Sequence, residues 1–264
     1  MRTRSSPKAD PPLRLRAGTS GWSYDAWKGP FYPAELPSRE MLAFYGARLP
    51  AVEVNNTFYR LPKAAVLESW AAQVPEAFRF ALKASRRITH LKRLRDAAEE
   101  TAYLLAAAAV LGPRLGALLF QLPPNLKLDL ERLDAFLALL PEGTRAAFEF
   151  RHPSWNDDGV QERLRARGFA QVLADVADGP PPPFVATAPW AYLRLRRPGY
   201  GAEELAGWLE RIRDSGVGEA FVFFKHEDEG VAPRLASELL ALAGAAPAQA
   251  PLRASPRASR KTAG

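Results

Sequence analysis

The chain has 264 residues, 47% of them hydrophobic and 25% charged, and no cysteine. That length holds one large core and is close to the roughly 250 residues of a single eightfold barrel. The lack of cysteine excludes disulfides, thiolate metal sites and a thiol nucleophile and leads us to expect a cytoplasmic protein.

The formal charge of +7 gathers at the ends, where Arg2, Arg4, Lys8 and Arg14 face only Asp10, and where Arg253, Arg257, Arg260 and Lys261 meet no acid. Residues 1–12 and 245–264 are rich in Pro, Ser, Ala and Arg without periodicity, and are expected to be disordered basic tails around one domain, 13–244. No run approaches the roughly 18 apolar residues of a membrane span, so no membrane contact is expected. Along the domain, short apolar runs alternate with helical patterns. The runs are Leu15 to Gly18, Ala51 to Val54, Arg79 to Lys83, Ala117 to Gln121, Arg145 to Phe150, Phe169 to Ala174, Ala191 to Leu195 and Ala220 to Lys225. Apolar residues three and four apart predict helices at Ser38 to Arg48, Lys63 to Ala72, Asp96 to Leu111, Leu130 to Leu140, Asp157 to Arg167, Ala202 to Asp214 and Val231 to Leu242. After the sixth run the Gly/Pro stretch Asp178 to Pro183 is too rigid for a helix, so that unit is expected to be irregular. The pattern predicts a single (β/α)8 TIM barrel, an α/β fold.

Strand residues alternate faces, so Phe80, Leu82, Leu118, Phe120, Phe148, Phe150, Leu193 and Leu195 are expected to point at the helices. By the same alternation Glu53 with Asn55, Lys83, Gln121, Glu149 with Arg151, Asp175, Tyr192 with Arg194, and Lys225 point at the axis near the strand ends, where such barrels place active sites. Ser20 leaves the first strand in Gly18-Thr19-Ser20-Gly21-Trp22, whose glycines allow close approach of a ligand. Trp22, Tyr24, Trp27, Phe31 and Tyr32 then crowd one loop. They either stack on a ligand or pack a small core of their own.

Several motifs resemble the YecE-like family, a domain of unknown function (DUF72). They are Gly18-Thr-Ser-Gly-Trp22, Glu53-Val-Asn-Asn-Thr-Phe-Tyr59, Phe80-Ala-Leu-Lys-Ala84, Phe120-Gln-Leu-Pro-Pro124, Phe148-Glu-Phe-Arg-His152 with Ser154-Trp155, and Phe223-Phe-Lys-His-Glu-Asp228. The resemblance spans about residues 13 to 244 and implies a TIM barrel. It implies no reaction.

His90, His152 and His226, with Glu53, Glu149 and Asp175, are candidate metal ligands. The inward cations Lys83, Arg151, Arg194 and Lys225 outnumber the acids, so no metal and no cofactor is expected, and the mouth suits an anion. The expected partner is an anionic small molecule or a nucleic acid. The expected function is an enzyme acting on a phosphate-bearing substrate, with hydrolysis favoured, Glu149, Glu53 and Asp175 as catalytic carboxylates, and Ser20, Trp22, Asn55, Tyr59, Lys83, Gln121, Arg151, His152, Tyr192, Arg194 and Lys225 as binding residues. A non-catalytic nucleotide or nucleic-acid binder, and a metal-dependent or sugar-processing hydrolase, remain alternatives.

Overall fold

Each of the eight apolar runs forms a strand, and the strands close in chain order into an all-parallel barrel. The computed structural model describes residues 13–60, 62–176, 182–197, 199–225 and 228–244. The strands are β1 Arg14–Ser20, β2 Ala51–Val54, β3 Arg79–Lys83, β4 Leu115–Gln121, β5 Ala146–Glu149, β6 Ala170–Asp175, β7 Trp190–Leu195 and β8 Glu219–Phe224. Between them run the helices α1 Met41–Gly46, α2 Ala64–Gln73, α3 Ala98–Ala109, α4 Leu130–Leu137, α5 Asp158–Arg167 and α6 Ala202–Asp214, with α7 Val231–Leu242 after the last strand.

The helices form where their apolar stripes meet the outer barrel face. Leu205, Trp208, Leu209 and Ile212 make such a buried stripe on α6. The Asp129 side chain accepts the Arg132 N–H at 2.9 Å and caps α4, a contact worth about 1 kcal/mol. The stretch expected to be helical from Asp96 starts at Ala98 instead, because Arg93, Leu94 and Asp96 adopt left-handed backbones with φ of 51°, 67° and 49°. Between β6 and β7 the described residues 182–189 contain no helix, in keeping with the expected irregular unit. The rest of that connection, and the expected disorder of 1–12 and 245–264, lie outside the described residues.

Two cores follow from the alternation. The outer one packs Phe80, Leu82, Leu118, Phe120, Phe148, Leu193 and Leu195 against the helices. The inner one is lopsided: Ala51, Ala81, Ala117, Ala147 and Ala170 line one wall, while Trp190, Tyr192, Phe221 and Phe223 of β7 and β8 fill the space facing them. Small side chains on one arc make room for aromatic ones on the other, which keeps the interior packed rather than open. At the amino end of the strands Glu219 accepts from Arg16 and, at 2.7 Å, from Arg145, whose guanidinium lies 4.6 Å from the Trp190 ring centroid. That end is closed. The opposite end carries the polar residues.

Candidate functional site at the barrel mouth

Glu53 stands one residue before the end of β2 and Glu149 ends β5, and Arg194 from β7 reaches between them. Its Nη2 donates to Glu53 Oε1 at 2.6 Å and its Nη1 to Glu149 Oε2 at 2.5 Å. All three are almost fully buried, so each charge needs partners. Glu53 also accepts from Ser20 Oγ at 2.7 Å, Asn55 Nδ2 at 3.1 Å and Tyr192 Oη at 2.8 Å. Glu149 accepts from Gln121 Nε2 at 2.8 Å on both oxygens and from Arg151 Nε at 3.1 Å.

Burial alone would raise both carboxylates. Arg194 and its neighbours outweigh burial, pulling Glu53 below its ordinary value and Glu149 down to about 2. Between two carboxylates, Arg194 is held charged more firmly than an ordinary arginine. Tyr192 is pushed well up, by burial and then by Glu53, and stays a hydroxyl donor.

Around this locked centre the cations are less fully matched. Lys83 ends β3 half-buried, its Nζ 4.2 Å from the Phe58 ring centroid, and that ammonium makes no hydrogen bond or ion pair among the described residues. Burial, then Arg194 and Arg151, bring it down to about 8 against the opposing pull of Glu53 and Glu149. Arg196 lies two residues beyond Arg194 on the same side of the chain and feels Arg194, Glu149, Glu53 and Arg151. Its Nε is buried without a partner among the described residues. His90 stands edge-on to Phe58 at 4.9 Å, and burial followed by Lys83 lowers its pKa from the ordinary 6.5. It is carried on a π-helical turn, Arg87–Leu91, followed by the left-handed residues noted above. Such turns and strained backbones recur beside functional sites.

The structure therefore brings Ser20, Glu53, Asn55, Lys83, Gln121, Glu149, Arg151, Tyr192 and Arg194 into one mouth. Asp175 does not join them. Ala170 and Val172 belong to the inner core and Ala174 pairs with Arg194, which turns Leu173 and Asp175 outward; there Asp175 accepts from Tyr200 Oη at 2.7 Å. Lys225, expected at the axis, is exposed past the end of β8. Tyr59 is 71% exposed and lines a neighbouring groove. Trp22 packs edge-on against Trp70 of α2, and Trp27 and Tyr32 are buried as part of the outer core, so the aromatic loop packs onto the body of the barrel. His152 Nδ1 accepts the Ser154 N–H at 3.1 Å, capping a short turn. His226 lies outside the described residues. No three His, Asp or Glu side chains converge as a ligand set among the described residues. Arg196 and Phe58 are the mouth residues that the strand-by-strand reading passes over. Carrying the alternation of Tyr192 and Arg194 one step past β7 would have found the first.

Comparison with known proteins matches residues 16–260 to a family model described as protein of unknown function DUF72. The match extends past the expected domain end at 244. Among curated relatives, UPF0759 protein YecE of Escherichia coli O157:H7 is 34% identical over 137 residues, 50% of each chain. UPF0759 protein YunF of Bacillus subtilis is 28% identical over 172 residues, 60% of this chain and 59% of the relative. The chain thus spans only about half the length of the curated relatives it matches. A crystal structure of a DUF72 family protein from Thermotoga maritima superposes with a TM-score of 0.74 at 26% identity, covering 87% of this chain and 98% of the other. One from Enterococcus faecalis, at 20% identity and TM-score 0.74 over 88% and 96% of the two chains, shares the fold.

Proposed function

This chain belongs to the DUF72 family of proteins of unknown function, and from that premise we propose that its barrel mouth is an enzyme site for a small anionic, phosphate-bearing substrate. The observation that carries the reading is the charge left over at the mouth. Among the described residues, Lys83, Arg151, Arg194 and Arg196 face Glu53 and Glu149, and both carboxylates are already spent, Glu53 on Arg194 and neutral donors and Glu149 on Arg194, Arg151 and Gln121. An incoming phosphate would supply acceptors for Arg151 and for the unpartnered Arg196 Nε.

The proton-transfer role that sequence reading gave to Glu149 moves elsewhere. Hydrolysis by a water activated on Glu149 asks for a base far stronger than a carboxylate held at about 2. Lys83, at about 8, lies nearer neutrality, and His90 stands against the same Phe58 ring. Glu53 and Glu149 serve instead to fix Arg194 and to set the field. Calorimetry with inorganic phosphate, sugar phosphates and nucleotides tests the reading. Arg151→Ala and Arg196→Ala should each weaken phosphate binding by about 1.5 to 3 kcal/mol, the worth of a hydrogen bond to a charged group. No phosphate binding to the unaltered protein would sink it.

A second reading, nucleic-acid binding, draws on the groove of about 510 Å³ beside the mouth, lined by Tyr59, Arg60, Lys63, Arg87 and Tyr103 among others. Tyr59 and Tyr103 are 71% and 62% exposed, as platforms for bases would be. Binding of a single-stranded oligonucleotide that falls steeply with salt and is weakened by Tyr59→Ala would favour it.

A further inference from the structure

Lys83 is set apart from the other charged groups of the mouth. Glu53 and Glu149 each have several hydrogen-bond partners, and Arg194 sits locked between them. Lys83, one strand over from Glu53, has the face of Phe58 beside its ammonium and no carboxylate or carbonyl oxygen bonded to it among the described residues. Its backbone is firmly held: Thr57 Oγ1 donates to the Lys83 carbonyl at 2.7 Å, and β3 pairs with β2 and β4. A lysine anchored at its Cα, flanked by an aromatic ring and left without an acceptor among the described residues has its Nζ turned to the mouth. It also faces the groups already placed to hold an anion.

We propose that Lys83 is an imine-forming lysine, whose Nζ condenses with the carbonyl of a small aldehyde or ketone carrying a phosphate or carboxylate that lies against Arg151 and Arg196. The inference rests on the anion-binding reading above and deepens it by naming the carbonyl as the reacting group. The neutral amine attacks the carbonyl carbon, forming the C–N bond, and one N–H proton passes to the oxygen to give a carbinolamine. The C–O bond then breaks and the oxygen leaves as water with the second N–H proton, so that nothing is oxidised or reduced. The resulting imine, once protonated, places a positive charge on the nitrogen facing the ionised Glu53 and Glu149. Desolvation and the nearby arginines keep an appreciable fraction of Lys83 as free amine near pH 8, a condition that imine-forming lysines need.

The test uses the full chain and two reagents, pyridoxal 5′-phosphate and its phosphate-free counterpart pyridoxal, each followed by borohydride reduction and peptide mass spectrometry. Lys83 should be labelled by pyridoxal 5′-phosphate roughly tenfold faster than the exposed Lys63 and Lys127, since part of Lys83 is free amine near pH 8 and Arg151 and Arg196 hold the reagent's phosphate beside it. Inorganic phosphate should slow that labelling, and Lys83→Met and Lys83→Arg, checked for an unchanged melting transition, should remove it. Labelling of Lys83 no faster than of Lys63 and Lys127 by either reagent overturns the imine inference, whatever calorimetry shows for phosphate. Fast labelling of Lys83 by both reagents alike, unaffected by phosphate, upholds imine formation and overturns the anion-binding reading beneath it.

Discussion

Arg194 is the residue on which the mouth depends most. It is buried to 1% exposure between two carboxylates that are themselves buried. Breaking a buried ion pair leaves uncompensated charge and costs about 3 to 5 kcal/mol. Arg194→Met should therefore lose stability on that scale in urea unfolding at neutral pH. Adding Glu53→Gln and Glu149→Gln should recover much of the loss, because the charges left unpaired are then gone. Lys83 shifts the other way. Its folded pKa of about 8 lies below the ordinary 10.5, so the folded state holds that proton less tightly than the unfolded chain. Stability from this group rises with pH between those two values. Lys83→Met should remove that rise in melting temperature without lowering stability at pH 7.

At the scale of elements, the first two strands approach each other closely at Gly18. A Cβ there would lie 1.9 Å from the Ala51 carbonyl oxygen, on which the Tyr45 hydroxyl of α1 also converges at 2.8 Å. Gly18→Ala should abolish cooperative unfolding or soluble expression. Gly207→Ala, in the interior of α6 with nothing within 4 Å of the added methyl, should instead stabilise by about 0.5 to 1 kcal/mol. The strands and most helices were legible in the chain because period-2 and period-3.6 patterns do not overlap here. Glu53, Glu149 and Arg194 could be placed at one mouth from alternation alone. Asp175 could not: β6 begins at Ala170 and its inner set is Ala170, Val172 and Ala174, a phase that its mixed small and apolar residues leave open. The crossing of Arg194 from β7 to both β2 and β5 was equally hidden, since no local pattern encodes a contact between residues 141 positions apart. Nor did the turn chemistry betray the left-handed Arg93, Leu94 and Asp96, where side chains other than glycine accept a strained backbone.

For the whole molecule, the mouth network sets the response to acid. Glu149 is held at about 2 against an ordinary 4.5, and Glu53 is lowered as well. Stability from a depressed carboxylate is complete above its unfolded pKa and is lost as pH falls through the folded one. The melting temperature should thus drop between about pH 4.5 and 2, and Arg194→Met should flatten that fall, which a pH series by calorimetry would read. The lopsided wiring of the barrel also governs the order in which it assembles. Glu53 belongs to the first half of the strands, and Glu149, Tyr192 and Arg194 to the second. Glu149 and Arg194 pair within the second half, whereas buried Glu53 meets its counter-charge only across the halves, so neutralising Glu53 is expected to coincide with closing the ring. If that is how the chain folds, Arg194→Met will speed unfolding by roughly a hundredfold or more, as a loss of about 3 to 5 kcal/mol requires, while leaving the refolding rate nearly as it was, the signature of an interaction absent until after the rate-limiting barrier.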